Sequence, residues 1–210
     1  AFFKRLREIA DRHEALLIFD EVQTGMGLTG SMWAFEQLGV TPDIVAFGKK
    51  TQVCGIMSTT RIDEVEGNVF HVSSRINSTW GGNLVDMVRC ARYLQIIDED
   101  GLVENAATVG RSLLQELEEL QAEFPLVTNV RGRGLMIAFD LPDRETRDAL
   151  RTRCWDNGLA TLVCGNRSIR FRPSLTFSEA DASRSAEILR ASLLELVEPL
   201  AGAAASPAEE

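Results

Sequence analysis

The sequence has no excess of basic residues, no long apolar run and very little histidine, and each shortage removes a class of function. Lys and Arg number 22 against 31 Asp and Glu, a formal net charge of −9 over 210 residues. No basic face is therefore available to grip a phosphate backbone, and nucleic acid is not expected as a partner. The longest apolar stretches, 15–19 and 44–47, fall far short of the ~20 residues a membrane helix needs, so a soluble protein without a membrane partner is expected. Cys54, Cys90, Cys154 and Cys164 form no C-x-x-C pair. That argues against a zinc knuckle or a redox dithiol and for a reduced, cytoplasmic setting. His13 and His71 have no matching acid and nucleophile, which argues against a hydrolytic triad. Asp98-Glu-Asp100 and the Glu116, Glu118 and Glu119 cluster read as solvated helix faces, and no metal is expected. Trp33, Trp80 and Trp155 read as core or interface residues.

What is present alternates in period. Phe2, Phe3, Leu6, Ile9 and Ala10 recur at helical spacing, and the continuous run Ala15–Phe19 then stops at Asp20. The opening helix has no capping residue and no initiating Met, which suggests a numbering that begins inside a longer protein. Glycines at 25, 27 and 30 make 23–30 a loop, and a second buried run, Ile44–Phe47, ends at Gly48. A helix followed by two such runs predicts parallel strands joined by a crossover. Ile56–Thr60 and Val69–His71 read as shorter strands, and Gly81-Gly82-Asn83 opens a helix to about Asp98. Beyond residue 100 the order becomes helix, two strands around Arg131-Gly-Arg-Gly134, helix near 144–155, two strands near 159–163 and 169–172, and a last helix. A capping box at Ser178-Glu-Ala-Asp181 opens that last helix. This is the pattern of a small α+β domain, and the tail at 201–210 has nothing to bury and reads as disordered.

Asp20 stands where an apolar strand gives way to a glycine-rich loop, and Lys49 and Lys50 stand at the end of the next strand. Open α/β sheets bind ligands at such carboxyl ends. A lysine in a partly desolvated cleft becomes a carbonyl-reactive amine, and a carboxylate opposite it can hold a ring nitrogen. Together they are what pyridoxal phosphate requires.

Several motifs then fall in a common order: Phe19-Asp-Glu-Val-Gln-Thr-Gly25, Gly27-Leu-Thr-Gly30, Pro42-Asp43-Ile44 with the strand-end lysine, Asn77-Ser-Thr-Trp-Gly-Gly82, Val130-Arg-Gly-Arg-Gly-Leu-Met136 and Ile169-Arg-Phe-Arg-Pro173. Over residues 1 to about 200 the sequence resembles the class III, ornithine/4-aminobutyrate type aminotransferases. The resemblance implies an α/β protein of pyridoxal-phosphate fold type I. Residues 1–99 would be the C-terminal part of the large domain with a mostly parallel sheet, 100–200 a small α+β domain and 201–210 a tail. Phe47-Gly-Lys-Lys-Thr-Gln-Val-Cys-Gly55 departs from the usual family pattern, and with Asn77–Trp80 it looks most like the branch acting on the terminal amine of L-lysine.

Carried over by position, Asp20 would bind the pyridinium N–H, Val22 would pack on the ring and Gln23 would meet its 3-oxygen. Ser78 and Thr79 would reach the cofactor phosphate across a homodimer interface, and Arg170 would grip a substrate carboxylate, with Arg172 as the alternative. For the Schiff-base lysine, counting back from Cys54-Gly55 favours Lys50. Counting forward favours Lys49, which follows the strand end directly and is the expected residue. The implied reaction moves the terminal amino group of L-lysine to 2-oxoglutarate, giving 2-aminoadipate 6-semialdehyde and glutamate. Ornithine, 4-aminobutyrate or diaminobutyrate as donors stay open, as do an aminomutase and a non-catalytic relative. The family's upstream phosphate loop and ring-stacking aromatic are not found between residues 1 and 210, so the chain alone is expected to be inactive.

Overall fold

The computed structural model describes residues 1–76 and 79–204. It divides into two compact units, Ala1–Glu104 and Asn105–Glu210.

In the first unit, helix α1 (Phe2–Arg12) leads into strand β1 (Ile18–Asp20), which pairs in parallel with β2 (Ile44–Phe47). Strand β3 (Gly55–Ser58) pairs with β2 antiparallel, and helix α2 (Leu84–Glu99) closes the unit. The Phe3 ring packs 5.5 Å from Phe19, which seats α1 beside β1. Buried Asp43 ties these elements together: it accepts from the Leu17 amide at 2.6 Å and from Arg7 Nη1 at 2.7 Å, with Arg61 Nη1 at 3.4 Å. Burial alone would raise its pKa, but these bonds outweigh that and hold the carboxyl below its usual range. Asn83 caps α2 by accepting from the Val85 amide at 2.9 Å.

Two expectations change here. The first strand is shorter than the apolar run, and Ile18 is 58% exposed, so the run marks an element's position better than its length. Val69–His71 is a turn, because Asn68 Oδ1 takes the Phe70 and His71 amides at 2.9 and 3.3 Å and so competes with strand pairing. Of the tryptophans expected in the core or at an interface, Trp33 is half-buried, and Trp80 and Trp155 are exposed in the single chain and so lie outside its core.

In the second unit, α3 (Leu102–Glu123) buries Ala106, Val109, Leu113, Leu117 and Leu120, the face the spacing predicts. An antiparallel sheet follows in the order β4 (Thr128–Arg133), β5 (Met136–Asp140), β7 (Ser168–Phe171), β6 (Leu162–Cys164). Helix α4 (Arg144–Asp156) lies between β5 and β6, and α5 (Glu179–Ala204) follows β7. Ile137, Phe139, Ile169 and Phe171 bury one face of the sheet. A Cβ on Gly110 would sit 2.2 Å from the Gly134 carbonyl, so α3 meets the β4–β5 turn at a distance only glycine allows. Ser178 and Asp181 cap α5 reciprocally, at 3.1 Å to the Asp181 amide and 3.0 Å to the Ser178 amide. Of the tail at 201–210, residues 201–204 fall within the bounds of α5 and residues 205–210 lie outside the described residues. Among the described residues no helix is long and apolar enough to cross a membrane.

Asp140 is 4% exposed and accepts from Ser168 Oγ at 2.6 Å, Asn129 Nδ2 at 2.8 Å and Arg131 Nη1 at 3.0 Å. Burial would raise its pKa, yet these three donors together lower it from 3.8 to about 2. The sign follows: the stabilisation is present above the unfolded value and fades as pH falls through the folded one. Asp140→Asn is expected to cost about 2 kcal/mol at neutral pH. In urea unfolding, that deficit should shrink between about pH 5 and pH 2.

Candidate active site

Two strand ends build the first part of the site. Asp20 is in register with Ala46, and the Glu21 amide donates to the Ala46 carbonyl at 2.9 Å. The chain after β1 therefore leaves the sheet beside the chain after β2, and Lys49 emerges three residues beyond the partner of Asp20. Asp20 is exposed, and its Oδ1 accepts from the Val22 amide at 3.1 Å. Its Oδ2 takes no hydrogen bond among the described residues. Val22 and Gln23 follow, both half-buried.

The loop that carries them is fixed from below. Glu21, 3% exposed, accepts from the Phe35 amide at 2.8 Å, the Ala34 amide at 3.2 Å and the Thr24 hydroxyl. A Cβ on Gly25 would fall 2.6 Å from the Trp33 ring, so the loop lies directly on that indole. The indole in turn packs 6.2 Å from Phe47 of β2. Glycine at 25 is required by this close approach.

The adjacent lysines are not equivalent. Lys49 opens a tight turn, Lys49–Thr51, with φ of 56°, a left-handed conformation that side chains with a Cβ adopt at a cost of roughly 1–2 kcal/mol. It is exposed, and its amine makes no hydrogen bond among the described residues. Lys50 is half-buried, and its Nζ donates to the Gln23 carbonyl at 2.8 Å and the Gly25 carbonyl at 3.0 Å.

Ser78 lies outside the described residues. Thr79 is exposed in the turn before α2. The residues that follow it, Trp80–Asn83, line a cavity of about 200 Å³ with Gln52, Val53 and Cys54 from the segment after Lys49. Asp20, Val22 and Gln23 thus follow the end of β1 and Lys49 the end of its parallel neighbour β2, and Trp80–Gly82 line a cavity with the segment after Lys49.

Arg170 belongs to the second unit. On the four-stranded sheet it forms a row with Ala138 and Arg131 on one side and Leu162 on the other. Arg131 is engaged by Asp140, whereas Arg170 Nε is buried without a hydrogen-bond partner. A cavity of about 150 Å³ opens at Arg170 among Leu159, Leu162, Phe171 and Phe177. Arg172, two residues on and half-buried, lines the same cavity. A guanidinium that lines a cavity with mostly apolar walls suits a planar carboxylate.

A carboxylate, a carboxamide and a primary amine at neighbouring strand ends are the donor set that an aldehyde-bearing pyridine ring needs, so the residues present fit pyridoxal phosphate. A sequence model of the family described as Aminotransferase class-III matches residues 1–193. The chain belongs to the class-III aminotransferases. It is 54% identical over 193 residues to the L-lysine-epsilon aminotransferase of Mycobacterium tuberculosis (strain CDC 1551 / Oshkosh), covering 91% of this chain and 43% of that protein. Identity to the mitochondrial 4-aminobutyrate aminotransferase of Homo sapiens is 38% over 184 residues, 86% of this chain and 36% of that protein. The solved lysine aminotransferase from M. tuberculosis in the internal aldimine form matches with a TM-score of 0.90 and 53% identity, covering 93% of this chain and 45% of that one. Acetylornithine aminotransferase from Elizabethkingia anophelis matches with a TM-score of 0.83 and 29% identity, over 92% of this chain and 49% of that one. The chain spans less than half the length of each of these relatives.

Membership gives this class-III aminotransferase chain a partial fold type I architecture, as expected, and the cofactor of the class is pyridoxal 5′-phosphate. Two contributions to the site are not foreseen by sequence reasoning. Glu21 is hidden by its place beside the more conspicuous Asp20. The tether made by Lys50 has no sequence signal, because its acceptors are backbone carbonyls.

Proposed function

We propose that the protein is a pyridoxal-phosphate transaminase that moves the terminal amino group of L-lysine to 2-oxoglutarate, giving 2-aminoadipate 6-semialdehyde and glutamate. The observation that supports the reading is the parallel pairing of Asp20 with Ala46, since Lys49 follows three residues beyond that partner. The higher identity to L-lysine-epsilon than to 4-aminobutyrate aminotransferases supports the donor.

When bound, the cofactor supplies an electron sink for the charge left on the donor's carbon. Asp20 holds a proton on the ring nitrogen, Val22 packs on the ring face and Gln23 donates to the 3-oxygen. Lys49 Nζ would hold the cofactor between turnovers; as a free amine it would take the proton from the donor's terminal carbon as base and, as acid, deliver it to the carbon on the other side of the transferred nitrogen. Lys50 is unsuited to that role because its amine already serves two carbonyls. Ser78 and Thr79 reach the phosphate across the interface of a cytoplasmic homodimer, and Arg170 grips a substrate carboxylate. The first unit is the later part of the large domain, the second the small domain.

Turnover by the product of the complete reading frame, with L-lysine, ornithine and 4-aminobutyrate as donors and 2-oxoglutarate as acceptor, tests the assignment. Lysine and ornithine differ by one methylene, which a fitted pocket distinguishes by about 10- to 200-fold in kcat/KM. L-Lysine is expected to lead by that margin, and faster turnover of ornithine would reject the donor assignment.

A further inference from the structure

We propose that Lys50 is a positioning residue, a tether that fixes the distance between Gln23 and Lys49; the proposal rests on the reading of Lys49 as the cofactor's lysine. The last backbone bond joining β1 to β2 runs from the Glu21 amide to the Ala46 carbonyl. Past that point the two exit loops need another connection, and the Lys50 ammonium supplies one by donating to the carbonyls of Gln23 and Gly25. These carbonyls flank Thr24, whose hydroxyl is held by buried Glu21, so the tether grips a loop already anchored at its base. At the other end, Lys50 sits in the same tight turn as Lys49, whose left-handed backbone leaves little slack between the two residues. Lysine chemistry suits such a tether, because its ammonium has three donors that turn freely toward two carbonyls, where a planar guanidinium is bound to one fork. These two bonds place the Gln23 carbonyl relative to the Lys49 backbone. An error of about 1 Å in such a placement can cost on the order of 100-fold in rate.

The test uses Lys50→Met, which keeps the length and loses the donors, and Lys50→Arg, which keeps charge and donors, both in the product of the complete reading frame. Borohydride reduction of the loaded wild type, followed by peptide mapping, is expected to place the pyridoxyl group on Lys49. In Lys50→Met the label stays on Lys49, and in cofactor-free protein the amides of residues 23–26 exchange about tenfold faster. The pH midpoint of the visible band rises, because a cation next to Lys49 is lost. kcat falls about tenfold with KM nearly unchanged, and Lys50→Arg recovers part of each effect. Wild-type exchange and a wild-type midpoint in Lys50→Met, with the label on Lys49, would overturn the tether alone. A label on Lys50 in the wild type would overturn both the tether and the Lys49 reading. If Lys50→Met does not fold, Lys50→Gln, with donors enough for one carbonyl but no charge, must show intermediate exchange and a raised midpoint, and wild-type values there would reject the proposal.

Discussion

Lys49→Ala is expected to leave a folded protein whose transamination is lower by about 10⁴-fold or more, since the proposed reading gives Lys49 both the cofactor's anchor and the proton-transfer amine. The neighbouring lysine cannot compensate. It begins one residue further into the turn, and its ammonium is committed to the Gln23 and Gly25 carbonyls. Lys50→Ala, measured in parallel, should keep the bulk of the cofactor's lysine-bound absorbance and lose rate more modestly. If the Lys49 variant retained that absorbance at full strength, the assignment would be wrong. Backbone strain supplies an independent control. Residue 49 is held at φ 56°, so Lys49→Gly relieves the left-handed conformation and should unfold at higher denaturant than Lys49→Ala while being equally inactive. A residue that costs folding energy where glycine would be cheaper is the pattern expected of a functional side chain.

This pair also shows where sequence reading stops. The strands around Asp20 and Gly48 are legible because apolar runs end abruptly at polar or glycine residues, and the α5 cap is legible because Ser178 and Asp181 stand three apart. The α3 face from Ala106 to Leu120 is legible because its period is helical and every member is buried. Lys49 and Lys50, by contrast, are the same residue type one position apart, and no periodicity separates them. What separates them is a φ angle and two carbonyl acceptors brought 25 and 27 residues across the fold. The same limit hides Glu21, whose burial depends on amides at 34 and 35, and it makes 69–71 look like a strand, because the Asn68 side chain decides that local competition. Interactions whose partner is backbone leave little trace in residue types.

Asp20→Asn should lower kcat on the order of 10²- to 10³-fold while leaving the fold and the cofactor's attachment to Lys49 in place. The substitution is nearly isosteric, and the carboxamide oxygen can still accept from the Val22 amide as Oδ1 does at 3.1 Å, so the turn into Val22 and Gln23 is retained. What is lost is the negative charge. A carboxylate at this strand end favours a proton on a ring nitrogen beside it, whereas a neutral amide does not, and an unprotonated ring draws electrons from the donor's carbon far less strongly. The loss should therefore fall on the proton-abstraction step and appear as an increased isotope effect with donor deuterated at its reacting carbon. Asp20→Ala, which also removes the acceptor for the Val22 amide, should lose rate further and release cofactor more readily. Activity of Asp20→Asn within about tenfold of wild type would reduce Asp20 to a loop cap, a role that needs an oxygen acceptor and no charge.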